Sequence, residues 1–344
     1  MNTTLKILKA GNGDSLILRF LGNDNQYKNI IIDGGNKKSE YTSVLKCEVL
    51  KIKARKENID LLILTHTDQD HVKGIQYLLN DADIDKSLIK CVWFNSFDNT
   101  SFHKSNDISY IESCDIQNKI NEFDIPRIND IVINEFKPVN FFGAIITLLS
   151  PVKEDLKKLI LKNSTDICSE GKDYDYTIEQ LINKNSKIFK DKIEDLDTTI
   201  ENRVSISMLV EVQEKSILFM GDANPDIIQD SVKKLLAIRG IDKLKVNVIK
   251  LAHHASHRSL SLSLIDLIDS NNFIISTNGK KSNLPNKLTL AKILNRESKN
   301  GEEDVFIFNY DEVVDELKIS DNDYIKYNFK SLKPNYSKGY LIKL

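Results

Sequence analysis

The sequence lacks the features of a disulfide-built or membrane-spanning protein. Its four cysteines, Cys47, Cys91, Cys114 and Cys168, stand far apart among 344 residues with no Cys-x-x-Cys spacing. That argues against a disulfide framework and a cysteine zinc site, leaving reduced residues that mostly pack. No apolar run reaches the length of a bilayer crossing, and the opening MNTTLKILKAGNGD carries no apolar leader core. A cytoplasmic protein that does not engage membranes is the expectation. An excess of one charge is missing as well, since 48 Lys and Arg stand against 50 Asp and Glu for a formal net charge of -2. A general polyanion coat is thereby excluded, and any contact with nucleic acid must be local. Internal repeats and low-complexity tracts are absent too.

What is present suits a globular α/β chain. At 41% hydrophobic and 28% charged residues, it can bury one large core or two modest ones. TLKILKAG, SLILRFLG and KNIIIDGG read as an N-terminal meander ending at Asp33, and helical spacing follows from about Tyr41 to Glu57. IDLLILTH is a buried strand by length and aliphatic content, with a helix over Val72 to Asn80 after it. KCVWFNSF, DIVINEF and AIITLLSP are further strand candidates, with Trp93 and Phe94 assigned to the core. From 153 to 202 the texture changes to Lys, Asp, Glu and Asn with leucine and isoleucine at helical spacing, either an inserted charged helical lobe or a flexible, solvated excursion. VSISMLVEV and KSILFMGD then form a hairpin-like pair, followed by a helix from Pro225 to Arg239 and a strand KVNVIKLAHH. SLSLIDLIDS and NKLTLAKIL read as helices around the strand NFIISTNG, and VFIFNYDE and DYIKYNFKS as closing strands.

Chemistry concentrates at three strand ends. LLILTHTDQDHVKG places His66, Asp68, Asp70 and His71 within six residues of an aliphatic strand, KSILFMGD ends in Asp222, and KVNVIKLAHH ends in His253 and His254. Imidazole and carboxylate together suit Zn²⁺, Mn²⁺ or Fe²⁺, the carboxylates tilting the set toward harder ions such as Mn²⁺. Some of these residues have bland alternatives. Asp33 before glycines suits a cap of the IDGG turn, and Asp222 before Ala-Asn-Pro is a helix cap or a ligand, with the context favouring the metal. His257 reads as part of a solvated face, and His103 receives no role.

HTDQDH at 66 to 71 resembles the metal motif of the metallo-β-lactamase fold, in the ComEC-like subgroup where Asp stands for the usual second histidine. AGNGDSLILRF at 10 to 20, IIIDGG at 30 to 35, ILFMGDAN at 217 to 224 and IKLAHHASHRS at 249 to 259 resemble further elements of that group, in the same order. The resemblance implies a single four-layered αββα sandwich domain over 1 to 344, with 153 to 202 inserted within it. It assigns His66 and Asp68 to one metal, Asp70 and His71 to the other, and makes Asp222 a bridge. His254 is the later ligand with His253 beside it in the cleft, Asp33 orients a ligating histidine, and Asp14 is structural. The chain departs from the pattern at Ser150 and Leu284, each where a histidine is common, and at Ala255, where glycine is usual. One site would then be short of ligands, so one or two ions of Zn²⁺ or Mn²⁺ per chain are expected.

Such a centre implies hydrolysis by a metal-bound hydroxide, with Asp70 orienting the water and His253 or His254 stabilising charge or protonating a leaving group. Lys243, Lys245, Lys250, Arg258, Lys280, Lys281 and Lys287 flank the later motifs, and suit a phosphate-bearing substrate such as nucleic acid as well as they suit plain solubility. A phosphodiesterase or nuclease is the leading expectation. Stand-alone relatives of this kind occur beside ATPases in anti-phage defence operons, so the resemblance also implies a partner ATPase. The alternatives are a hydrolase of a lactone, amide or thioester, and a catalytically weak, metal-stabilised module that docks a partner through 153 to 202.

Overall fold

Leu61–Leu64 is a strand of four aliphatic residues, and the alternation of its side chains divides the molecule. Leu61 and Ile63 join Ile217 and Phe219 in a core between two sheets. Leu62 and Leu64 face the other way, into a core shared with Val72, Ile75 and Leu78 of the helix Gln69–Asn80. On the second sheet, Leu218 and Met220 turn outward to Ile228, Val232 and Leu235 of the helix Pro225–Arg239. A strand can be aliphatic on both faces only when each face has an apolar partner. Three cores therefore separate four layers, in the order αββα. This is the α/β sandwich that the resemblance implies.

The computed structural model describes residues 3–95, 108–160 and 172–344. His103 and Cys168 lie outside them. Seven strands form the first sheet, in the order Gly339–Lys343, Thr4–Leu8, Leu16–Leu21, Tyr27–Ile32, Leu61–Leu64, Val92–Phe94 and Arg127–Ile128. The second sheet has eight, in the order Phe329–Leu332, Asp304–Phe308, Asn272–Ile275, Val248–Lys250, Lys215–Phe219, Ser207–Val212, Ala144–Ser150 and Val139–Phe141. Each sheet is antiparallel on one side and parallel on the other. The parallel strands of the first run from Tyr27–Ile32 outward, and those of the second from Lys215–Phe219 outward. Trp93 and Phe94 are core residues as expected.

Local chemistry sets the element ends. The helix expected from Pro225 to Arg239 has those bounds, with Pro225 in its first turn and Gly240 closing it at φ 63°. One strand reading fails, and that of DYIKYNFKS holds only for its end, at Phe329–Leu332. DIVINEF forms no strand, and Glu135 and Phe136 both take positive φ, which breaks an extended run. Asp321–Tyr327 is a helix, because Ser320 and Asp323 build a capping box that outweighs the β-prone tyrosines.

The described part of 153–202 holds four short helices, Lys153–Ile160, Ile178–Ile182, Lys187–Lys192 and Ile200–Arg203. They do not hang free of the sandwich. Tyr174, Ile178 and Leu181 are buried in the core outside the second sheet. Buried Asp173 accepts hydrogen bonds from the main-chain N–H groups of Lys287 and Leu288 at 2.9 and 2.8 Å, at the start of the helix Lys287–Leu294. Among the described residues no helix is long and apolar enough to cross a membrane.

Candidate metal centre

Parallel strands deliver their carboxyl ends to one edge, so residues that follow them meet there. Tyr27–Ile32 leads to Asp33, Leu61–Leu64 to His66, Lys215–Phe219 to Asp222, and Val248–Lys250 to His253 and His254. Asp14 reaches the same edge because it precedes the antiparallel strand Leu16–Leu21. His253, His254 and Ala255 all take left-handed backbone, at φ 45°, 54° and 66°. That conformation costs a non-glycine residue roughly 1–2 kcal/mol. Hydrogen bonds to the carbonyl of Ala255 from the Asn286 N–H at 3.1 Å and the Thr289 hydroxyl at 2.7 Å hold it. The turn aims the two imidazoles apart, with ring planes at 74°.

Main-chain contacts lock the start of the ligand-bearing helix Gln69–Asn80. Gly34 donates to the carbonyl of His71 and Gly74 to that of Gly35, each at 2.8 Å. A Cβ on Gly13 would stand 1.7 Å from the carbonyl oxygen of Asp70, and one on Gly74 would stand 1.8 Å from that of Gly34. Only glycine permits these approaches.

His71 sits at the centre, fully buried. Its Nδ1 is 2.9 Å from Asp33 Oδ2, and Asp33 also accepts from the Thr65 N–H at 2.8 Å and the Thr65 hydroxyl at 2.5 Å. Asp33 thus has three partners around His71 and the following strand end, beyond the needs of a turn cap. The other nitrogen, Nε2, is 3.2 Å from Asp222 Oδ2 without hydrogen-bond geometry. His254 presents Nδ1 to the carbonyl of Ser276 at 2.9 Å, and Nε2 to Asp70 Oδ2 at 3.6 Å and Asp222 Oδ2 at 3.9 Å. Asn12 donates to Asp70 Oδ2 at 2.9 Å.

Among the described residues two triads have ligand atoms within 4.8 Å of one another, Asp70 with His71 and His254, and Asp14 with His71 and Asp222. His66 lies outside both triads, its ring centroid 5.6 Å from that of His71. Its Nδ1 lies 3.1 Å from the Asp68 main-chain nitrogen and 3.4 Å from Asp68 Oδ1, and the Asp68 side chain is half exposed at the helix start. Asp14, read as structural, is the residue that sequence reasoning left out of the site. It is buried, ion-paired with the buried Lys250, and 3.5 Å from His254 Nδ1. The Gly-x-Gly-Asp motif was the signal that marked it.

The donor set fits a divalent ion. His66 Nε2, His71 Nε2, His254 Nε2, Asp14 Oδ1 and Asp222 Oδ1 are all buried with no hydrogen-bond partner, where buried polar atoms ordinarily have one. Electrostatics say the same of the metal-free chain. Burial opposes ionisation of Asp222, yet His71, His253 and His254 hold its carboxyl well below the usual range. Burial likewise opposes the charging of His254 and His66, but Asp222 and Asp14 push His254 up to about 9, and Asp68 pushes His66 up to about 9. Protons occupy places where a cation would serve.

Other expectations need correction. His257 is buried, not solvated, with Nδ1 3.0 Å from Asn286 Oδ1. Lys250 is no rim residue, since Asp14 neutralises it inside the site, and Lys287 is buried among the carbonyls of Tyr174, Tyr176 and Lys318. Lys243 and Lys245 precede the strand whose far end carries the histidines. Lys280 and Lys281 are both exposed, with Lys281 Nζ 3.8 Å from Asp70 Oδ2, and Arg258 is paired with Asp195. Ser150 bonds the main chain at Ser205 and Ser207, and Leu284 is buried and supplies no ligand.

No family model and no curated protein sequence matches the chain. Among solved structures it is similar to the metallo-β-lactamase fold protein YhfI from Bacillus subtilis, at 11% identity and a TM-score of 0.46 over the whole of both chains. A diphosphatase of the PhnP family shows 11% identity and a TM-score of 0.40 over 99% of this chain and 98% of its own. Zinc-bound PqqB from Methylobacterium extorquens shows 9% identity and a TM-score of 0.40 over 99% of this chain and all of its own. The αββα assignment rests on the sheets and cores themselves.

Proposed function

We propose that this chain is a metal-dependent hydrolase of phosphodiesters, a nuclease of the ComEC-like kind. The observation that carries the metal centre is the convergence of five buried, unpartnered ligand atoms from three strand ends and the Asp14 loop. His71, Asp70, Asp222 and His254 would hold one ion or share two, with His66 and Asp68 beside them and Asp14 as a further donor. Divalent ions bound there supply a nucleophile from water at neutral pH and a counter-charge for a phosphoryl oxygen. The chain's own groups do the rest. Asp70, braced by Asn12, orients the attacking water. Asp33 holds the Nδ1 proton of His71, so that its Nε2 lone pair faces the centre. Lys281 stands on the exposed side of Asp70, where a phosphate of the substrate would lie.

The test is to strip the protein with chelator, reload it with Zn²⁺ or Mn²⁺ and count ions per chain. It is then offered bis(p-nitrophenyl) phosphate and a single-stranded oligonucleotide, beside a lactone, an amide and a thioester. Metal-dependent cleavage of the phosphodiesters alone supports the proposal. Cleavage of the acyl compounds alone moves the chain to the other class of hydrolase. Metal binding with no turnover, together with co-purification of an ATPase, makes it a docking module of a defence complex.

A further inference from the structure

His253 does not share the surroundings of its neighbour. The side chains of His71 and His254 are 0% and 3% exposed, whereas that of His253 is 33% exposed, with Nε2 3.9 Å from Asp222 Oδ2. On its far side, Nδ1 lies 3.4 Å from Nδ2 of Asn202, a buried residue of the 153–202 segment. The same Asn202 nitrogen donates to Oδ2 of Asp197. An ionised carboxylate only accepts, so Asp197 decides which end of the amide is nitrogen. Asp197 is itself buried and fixed. Its Oδ1 accepts from the Thr199 N–H at 2.9 Å, its main-chain N–H donates to the carbonyl of Arg258 at 2.9 Å, and its carbonyl accepts from Asn224 Nδ2 at 2.8 Å.

We infer that Asn202, oriented by Asp197, is a positioning residue that sets the tautomer of the His253 imidazole, placing the ring hydrogen on Nε2 as a fixed hydrogen-bond donor to an oxygen of the substrate. Facing an N–H, Nδ1 must offer its lone pair, and the ring hydrogen is left on the nitrogen toward the cleft. His254 is the mirror case. Its Nδ1 faces the carbonyl of Ser276, which leaves the lone pair on Nε2 facing Asp70 and Asp222. Two adjacent histidines are thus sorted by their outer partners into one ligand and one donor. In this state His253 stabilises charge on a substrate oxygen and does not give up its proton, since loss of the Nε2 hydrogen would leave an imidazolate. The inference rests on the proposed hydrolysis for its substrate, but not for its geometry.

The test is ¹⁵N spectroscopy of the full chain labelled at histidine, metal-loaded and in mildly alkaline buffer, with His253→Gln to assign the signal. The parent should show His253 in the Nε2–H form, and Asn202→Leu should lose that preference. Should Asn202→Leu fail to fold, Asn202→Asp serves in its place, its carboxylate demanding hydrogen on Nδ1. A parent spectrum with hydrogen on Nδ1, or a folded variant that keeps the parental form, overturns the inference. Where the chain hydrolyses phosphodiesters, Asn202→Leu should lower kcat about 10²–10³-fold with little change in KM. The loss should be equal for good and poor leaving groups, and a loss confined to poor leaving groups would show proton transfer and overturn the assigned role. A chain with no hydrolytic activity defeats the proposed function while the spectrum still reads the tautomer.

Discussion

The Nδ1 of His71 stands 2.9 Å from Oδ2 of Asp33, a carboxylate that two groups of Thr65 also grip. Replacing Asp33 by asparagine keeps the size and one acceptor but turns a donor toward Nδ1 or toward Thr65. The His71 hydrogen is then driven toward Nε2, where a metal would bind. Metal affinity should fall about 10–100-fold, as for other partners of ligating histidines. Competition with a zinc indicator checks it, and unchanged affinity in folded Asp33→Asn would remove Asp33 from the site.

Loading the centre should release protons. In the chelated chain His66 and His254 stay protonated up to about 9, because of Asp68 for the first and Asp222 and Asp14 for the second. A metal needs both neutral, so apparent affinity should rise with pH up to that value. Calorimetric titration in two buffers of different ionisation enthalpy measures the release. The sign reverses for stability. A histidine raised by folding stabilises the metal-free chain fully below about 6.5, its unfolded value, and ceases to as pH passes about 9. The chelated protein should therefore melt at a lower temperature above pH 9 than near pH 6.5, and melts that are flat across this range would contradict the assignment.

Asp70→Asn should lower hydrolysis by about 10²-fold or more while the fold survives. The new amide can still offer its oxygen to the Asn12 Nδ2 donor, and the main-chain locks on the helix start are untouched. Parental turnover in the folded variant would exclude Asp70 from orienting water.

Asp173→Ala tests whether 153–202 belongs to the sandwich. The change strips two N–H groups at the start of Lys287–Leu294 of their acceptor, in a buried setting. A loss of about 1–3 kcal/mol is expected for such groups. Denaturant titration reads it, and a variant as stable as the parent would mean that the segment is only loosely attached. Deletion of 172–202 should be worse, because Ile178 and Leu181 leave the core with it.

Legibility in the sequence followed range of interaction. The aliphatic strands, the Pro225–Arg239 helix and the clustering of His66, Asp70, His71, Asp222 and His254 at strand ends depend on neighbours in sequence and on alternation, which can be counted. What failed depended on distant partners. Lys250 looks like any solvated lysine until Asp14, far earlier in the chain, is folded against it. His257 reads as polar surface because nothing nearby announces Asn286. The 153–202 stretch reads as a charged helical lobe, but its charge pattern hides which few apolar side chains it buries in the core. Asn202 carries no motif at all, and only its meeting with His253 gives it meaning.

The glycines around the ligand helix also bear on how such a protein can change over generations. Position of the helix start is set by main-chain contacts at Gly13, Gly34 and Gly74, and identity of the ligands by side chains on the other side of the same turn. The two are separable. A lineage could exchange Asp68 or Asp70 for another ligand, shift its metal preference or lose turnover altogether, while the scaffold stayed folded. One added carbon at Gly13 or Gly74 would find a carbonyl oxygen in its place, so on this scaffold chemistry is free to drift where shape is not.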